Sequence, residues 1–191
     1  LGSDLLESFV GSIASSIILA YHLVISAHAH GANVPEDMLS KLIAFPMIFV
    51  SGGLIACCLG IALLLFKSKM SNDPHKDLNF VTYVSSGLTI VSGFIISKIL
   101  FGGISDLSIV NFAVGWASPW IAATIGVAAG VIIGAIAEYY TSADYKPTKN
   151  LANTSLEGSA LTITQGLALG MKSTMAPCII LAAGIIISYY V

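Results

Sequence analysis

Asp4 and Glu7 stand three residues apart near the start of the chain, and Ser8, Gly11, Ser12 and Ser15 follow at spacings of one to four. On a helix these positions share one face. At about 1.5 Å per residue, the stripe from Asp4 to Ser15 climbs about 16 Å. His22 lies roughly in line beyond it. Two carboxylates with hydroxyls beside them suit a hard cation such as sodium. Alternatively, one carboxyl holds and passes a proton. The stripe runs into an apolar stretch, and an ionisable group at membrane depth costs on the order of 2.5–3.5 kcal/mol. Such groups turn inward, pair, or line an ion path, with Ser12 and Ser15 as candidate lining residues. The competing reading puts Asp4 and Glu7 in the headgroup zone before the span begins.

Few other residues carry chemistry. Lys172, in Gly170-Met-Lys-Ser-Thr174, is a candidate buried charge. It needs a partner if its helix enters lipid near Ala160, and snorkels to the interface if the helix starts outside the bilayer. Glu138 closes an apolar stretch and opposes the helix dipole there. His28 and His30 are too few for a metal site and read as solvated loop residues. Cys57, Cys58 and Cys178 form no disulfide framework. No phosphate-binding glycine loop, nucleophile elbow or zinc signature is present. The sequence therefore predicts neither catalytic residues nor a metal site of its own.

The elements that must position these residues follow from composition. Of 191 residues 56% are hydrophobic and 9% charged, and the mean hydropathy is +0.90. Soluble domains carry about 25% charged residues, so the bilayer is the solvent that fits. The net charge is -2 and every basic residue is lysine, which excludes a nucleic-acid footprint. A membrane-crossing helix needs about 20 apolar residues. Five stretches qualify, at about 5–27, 42–66, 80–101, 112–137 and 160–191, the fourth extendable back to Val110. Pro177 is a candidate kink in the last. The fold class is all-α, a polytopic transmembrane helical bundle, with residues 1–191 as one membrane-domain piece. The chain opens on Leu1 without a basic leader and closes inside the apolar run Cys178–Val191, so it is expected to belong to a longer protein.

Two connectors are rich in lysine, 67–79 with Lys67, Lys69 and Lys76, and 138–159 with Lys146 and Lys149. Five antiparallel spans put both on one side, against Lys41 and Lys98 opposite. The positive-inside rule makes that side cytoplasmic. Trp116 and Trp120 read as interface anchors, as do Tyr139-Tyr140 and Tyr189-Tyr190. Gly126, Gly130 and Gly134 recur every four residues, as do Gly166 and Gly170, which predicts close helix approach.

Three segments carry a family resemblance. Glu138-Tyr-Tyr-Thr-Ser-Ala-Asp-Tyr-Lys-Pro147 resembles a segment of the membrane-bound, ion-translocating pyrophosphatases. So does Gly158-Ser-Ala-Leu-Thr-Ile-Thr-Gln-Gly-Leu-Ala-Leu-Gly-Met-Lys-Ser-Thr174 with Pro177 behind it. Gly2-Ser-Asp-Leu-Leu-Glu-Ser-Phe-Val-Gly11 looks like the sixth membrane helix of that family. Order and spacing agree over essentially the whole chain. The resemblance implies helices six to ten of a sixteen-helix subunit that forms a homodimer, only the first of the five belonging to the inner ring. It implies pyrophosphate hydrolysis coupled to H+ or Na+ transport, with magnesium held by aspartates outside this chain. It matches Asp4 to the gate aspartate, Glu7 to the gate glutamate and Ser8 to the hydroxyl beside it. In some proton-pumping members that glutamate falls at the position of Gly11. The residue that decides potassium dependence lies beyond residue 191, and the 191 residues alone are expected to hydrolyse nothing. A gradient-driven secondary transporter without hydrolysis is the rival class.

Overall fold

The computed structural model describes residues 2–29, 36–66, 74–104 and 112–191, with the side chains at positions 4, 5, 36 and 74–76 outside the description. All described secondary structure is helical. Helix α1 is Gly2–Ala29, α2 is Glu36–Phe66, α3 is Pro74–Phe101, α4 is Ser118–Thr141, α5 is Lys146–Thr154 and α6 is Ser159–Tyr189. Among the described residues, five helices are long and apolar enough to cross a membrane. Each expected span overlaps one of them. The ends differ because helical hydrogen bonding continues past the apolar stretches, carrying α2 back to Glu36 and α3 back to Pro74. Helix α4 starts later than its apolar stretch, since residues 115–117 form a separate short 3-10 turn ahead of it. The connector positions 30–35, 67–73 and 105–111, which hold His30, Lys67, Lys69 and Val110, lie outside the described residues.

By contacts the chain divides into two compact units, residues 1–124 with Val191, and residues 125–190. In the first unit α2 and α3 form the most extensive helix pair. The cause is a ridge of small residues on α2. Ala56 and Gly60 are buried, and a Cβ at Gly52 would meet Ile96 Cδ1 at 3.0 Å and Ser92 Oγ at 3.4 Å. A Cβ at Gly60 would lie 3.4 Å from Ser85 Cβ and from Val81 Cγ1. Lipid tails are as apolar as leucine, so close backbone approach and dispersion contact hold such a pair together. On α3 the answering face carries buried Ser85, Gly93 and Ser97.

Residues 112–120 fold back onto α3. Buried Ser97 donates its hydroxyl to the Trp116 carbonyl at 2.5 Å, and Trp120 Nε1 donates to the Ile90 carbonyl at 2.9 Å. The Phe94 ring meets both indoles edge-on, with centroids 5.4 Å from Trp116 and 5.2 Å from Trp120. Both tryptophans therefore pack against α3. A core of Val24, Met38, Leu42 and Phe101 joins α1 to this arrangement.

The second unit is α4 from Ile125, α5 and α6. Its turn is defined locally. Ser142 N donates to the Glu138 carbonyl at 2.9 Å, and Thr148 Oγ1 donates to the Tyr140 carbonyl at 3.2 Å, tying α5 to the end of α4. Pro147 in the first turn of α5 costs no hydrogen bond. Gly158 takes φ +138°, which a side chain would resist, and turns the chain into α6. Leu151 of α5 reaches 3.9 Å from the Cβ position of Gly166. Gly126, Gly130, Gly134 and Gly170 meet nothing within 4 Å. The close approach expected on that glycine face does not occur among the described residues, because none of their helices covers it.

Candidate functional site

The carboxylate and hydroxyl residues belong to the N-terminal half of α1. Glu7, Ser8, Ser12 and Ser15 are all exposed, and Asp4 occupies its helical position with its side chain outside the description. The helix is unbroken from Gly2 to Ala29, so the expected stripe is real as a register. At about 100° per residue, its centre stands roughly 160° round the helix from Ala20, Val24 and Ala27. Those three residues form the face that packs into the core with α2. The stripe therefore points away from α2.

The serines serve two bonding roles. Ser12 Oγ donates to the Ser8 carbonyl, Ser15 Oγ to the Gly11 carbonyl and Ser16 Oγ to the Ser12 carbonyl, each at 2.8 Å. Donation to the i−4 carbonyl is the usual solution for a hydroxyl on an apolar helix. It directs the proton inward and leaves the oxygen lone pairs free. A row of outward lone pairs below a carboxylate can ligate a desolvated cation. Ser16 was not singled out by spacing, although it follows Ser12 by four.

One flank of the stripe borders an apolar groove. Ser12 and Ser16 line it beside Phe9, Phe45, Phe49 and Phe112, and its volume is about 480 Å³. Its lining is otherwise hydrocarbon, so the Ser12 and Ser16 hydroxyls are the polar side-chain groups it offers a ligand. Among the described residues no group of three or more His, Cys, Asp and Glu side chains stands close enough to hold a metal ion. The described side chains therefore assemble no magnesium site among themselves.

Lys172 lies far along the sequence from the stripe, in the second unit. It is exposed on α6 and shares a cavity of about 300 Å³ with Tyr139, Tyr140, Lys146, Asn150 and Gln165. The signal for this cluster was legible, since Gln165, Leu169 and Lys172 follow one another by four and three on α6. At the other lysine-bearing end, Asp77 in the first turn of α3 is only 4% exposed. That burial was not foreseen, because an acidic first turn ordinarily faces water.

Five helices long and apolar enough to cross a membrane, one carrying a carboxylate–hydroxyl face, define a polytopic integral membrane protein. The family model for inorganic H+ pyrophosphatase matches residues 1–191, and the chain belongs to that family. It is 42% identical over 99% of its length to a K(+)-stimulated pyrophosphate-energized sodium pump of Thermotoga maritima. It is 35% identical over 100% of its length to a putative pump of the same description from Clostridium tetani. Against a K(+)-insensitive pyrophosphate-energized proton pump of Moorella thermoacetica the identity is 30% over 99% of the chain. The chain spans about a quarter of these relatives, 27%, 24% and 25% of their lengths.

Proposed function

We propose that the complete protein hydrolyses pyrophosphate and uses the energy to move a cation across the membrane, and that this chain contributes part of the ion gate. The observation that carries this reading is the family match over every residue of the chain, together with relatives named as pyrophosphate-energised pumps. Sodium with potassium stimulation is the favoured form. Sodium-pump names stand on relatives at 42%, 35% and 33% identity, and proton-pump names on those at 30%, 29% and 27% across the chain.

In this reading Asp4, Glu7 and Ser8 supply the oxygen ligands, and Ser12 and Ser15 line the way outward. Hydrolysis takes place above α1, on residues outside this chain that also bind magnesium. Closure over pyrophosphate shifts α1 or its neighbours, and the pairing of Asp4 and Glu7 with a lysine from another helix changes. The cation is then released along the hydroxyl face, a two-state equilibrium biased by ligand. Connectors 67–79 and 138–159 face the cytoplasm, and two copies of the complete subunit form a homodimer.

Glu7→Ala in the full-length protein tests the gate. Losing a charged ligand is worth about 1.5–3 kcal/mol, or tenfold and more. Pyrophosphate-driven uptake of radiolabelled sodium into proteoliposomes should fall by that factor, while hydrolysis in detergent falls much less. Undiminished uptake would reject the gate role. Sodium movement that ignores pyrophosphate would reject the pump.

A further inference from the structure

The geometry points to a phosphate-binding cavity in the second unit, where Lys146 and Lys172 hold the phosphate of an anionic membrane lipid at the level of the headgroups. It concerns a site remote in sequence from the α1 stripe and does not depend on the pump reading.

The first support is the lining. The cavity of about 300 Å³ is bordered by Tyr139, Tyr140, Lys146, Asn150, Gln165 and Lys172, and among the described residues no carboxylate lines it. Glu138, Asp144 and Glu157 belong to the same unit, yet none of them lines the cavity. Two ammonium groups with amide and phenol donors match the oxygens of a phosphate.

The second support is depth. From Lys172 to Tyr189, α6 rises about 26 Å, and from Ser118 to Tyr139, α4 rises about 32 Å, at about 1.5 Å per residue. Each is close to the hydrocarbon thickness of about 30 Å. Counted from Ser118 and from Tyr189, Tyr139 and Lys172 each lie about one hydrocarbon thickness along their own helix. The first turns of α6, from Ser159, continue some 20 Å past Lys172. Helix α5 packs against that extension and brings Lys146 to the cavity. A polar cavity at that depth is placed for a lipid headgroup. Basic pockets between helices at membrane boundaries suit anionic headgroups.

The same chemistry would accept free phosphate, and the test separates the two sources. The full-length protein, delipidated in detergent, is titrated with short-chain phosphatidylglycerol and, separately, with inorganic phosphate. Bound molecules are counted by native mass spectrometry. The double change Lys146→Gln with Lys172→Gln is compared with Lys146→Arg with Lys172→Arg and with the parent. Phosphate bound elsewhere on the protein contributes equally to all three and cancels in the difference. A lysine near a charged surface is worth about a factor of five, so the Gln pair should weaken phosphatidylglycerol binding roughly thirtyfold. The Arg pair should retain it, which also reports an intact fold, and inorganic phosphate should bind the parent far more weakly than phosphatidylglycerol does. A loss confined to inorganic phosphate would overturn the lipid assignment in favour of a soluble anion. Equal titrations for parent and Gln pair, with both probes, would overturn the site.

Discussion

Gly93→Ala offers a sharp test of how α2 and α3 are held together. A Cβ at Gly93 would lie 2.5 Å from Phe49 Cε2, 3.2 Å from Phe49 Cδ2 and 3.5 Å from Trp120 Cδ1. Carbon atoms pack at about 3.5–4.0 Å, so the Phe49 ring must retreat by about 1 Å. Its retreat is resisted because it also packs against Phe45 at 5.8 Å between centroids. On the other side, Trp120 is fixed by its bond to the Ile90 carbonyl. Overpacking of this kind costs about 1–3 kcal/mol. Alanine also gains about 1 kcal/mol over glycine in a helix interior, which hides part of the cost. Gly53→Ala removes that ambiguity. Its Cβ would meet Thr89 Cγ2 at 3.6 Å, an ordinary contact in the same interface, so it receives the propensity gain without the clash. The difference between the two variants isolates the packing cost, and Gly93→Ala should be the less stable by about 1–3 kcal/mol. The assay is SDS-induced unfolding of the full-length protein in mixed micelles. Phe49→Leu in the Gly93→Ala background should recover a large part of the loss, since touching residues couple by about 0.5–3 kcal/mol. Equal stability of the two alanine variants, or no coupling to Phe49, would refute this interface.

The fold-back of residues 112–120 yields two further expectations. Ser97→Ala strands the Trp116 carbonyl beside a fully buried position and should cost about 1–3 kcal/mol in the same unfolding assay. Trp120→Phe keeps an aromatic ring beside Phe94 but deletes the indole donor. It should cost about 0.6 kcal/mol and no more than about 1.7, the average and the maximum measured for side-chain hydrogen bonds between membrane helices, and a gain in stability would mean that the ring contact alone carries the site.

The five helices were legible in the sequence because hydrocarbon imposes length and composition together, and each apolar stretch had room for only one element. Which faces touch was much less legible. The glycine run of α4 has the spacing for close helix approach, yet among the described residues it meets nothing, while the ridge Gly52, Ala56 and Gly60 of α2 is filled by α3. Both runs have the spacing that permits approach. Spacing cannot name the partner, because that depends on which helix the connections bring alongside. Trp116 and Trp120 show the same limit. An aromatic at a helix end can serve an interface or bond a neighbouring helix's carbonyl, and the fold-back of residues 112–120 puts the Ile90 carbonyl within reach. Helix α5 sat unseen in a polar connector because it packs few apolar side chains of its own and depends on α6 for support.

The burial pattern gives the α1 stripe its weight. The face of α1 at Ala20, Val24 and Ala27 is committed to the core with α2, so the helix cannot rotate to bring Glu7 and Ser8 inward without exposing Val24, which is 3% exposed. The stripe must be satisfied by whatever lies beyond this chain. A carboxylate against acyl chains would cost several kcal/mol, whereas a protein wall or a hydrated path removes most of that cost. This chain makes up 27% of the length of its Thermotoga maritima relative, so in a protein of that size most of the helices that could form such a wall lie outside it. A helix anchored by one apolar face, with Glu7 and serine hydroxyls exposed on the other, leaves that polar face to be met from beyond the core with α2.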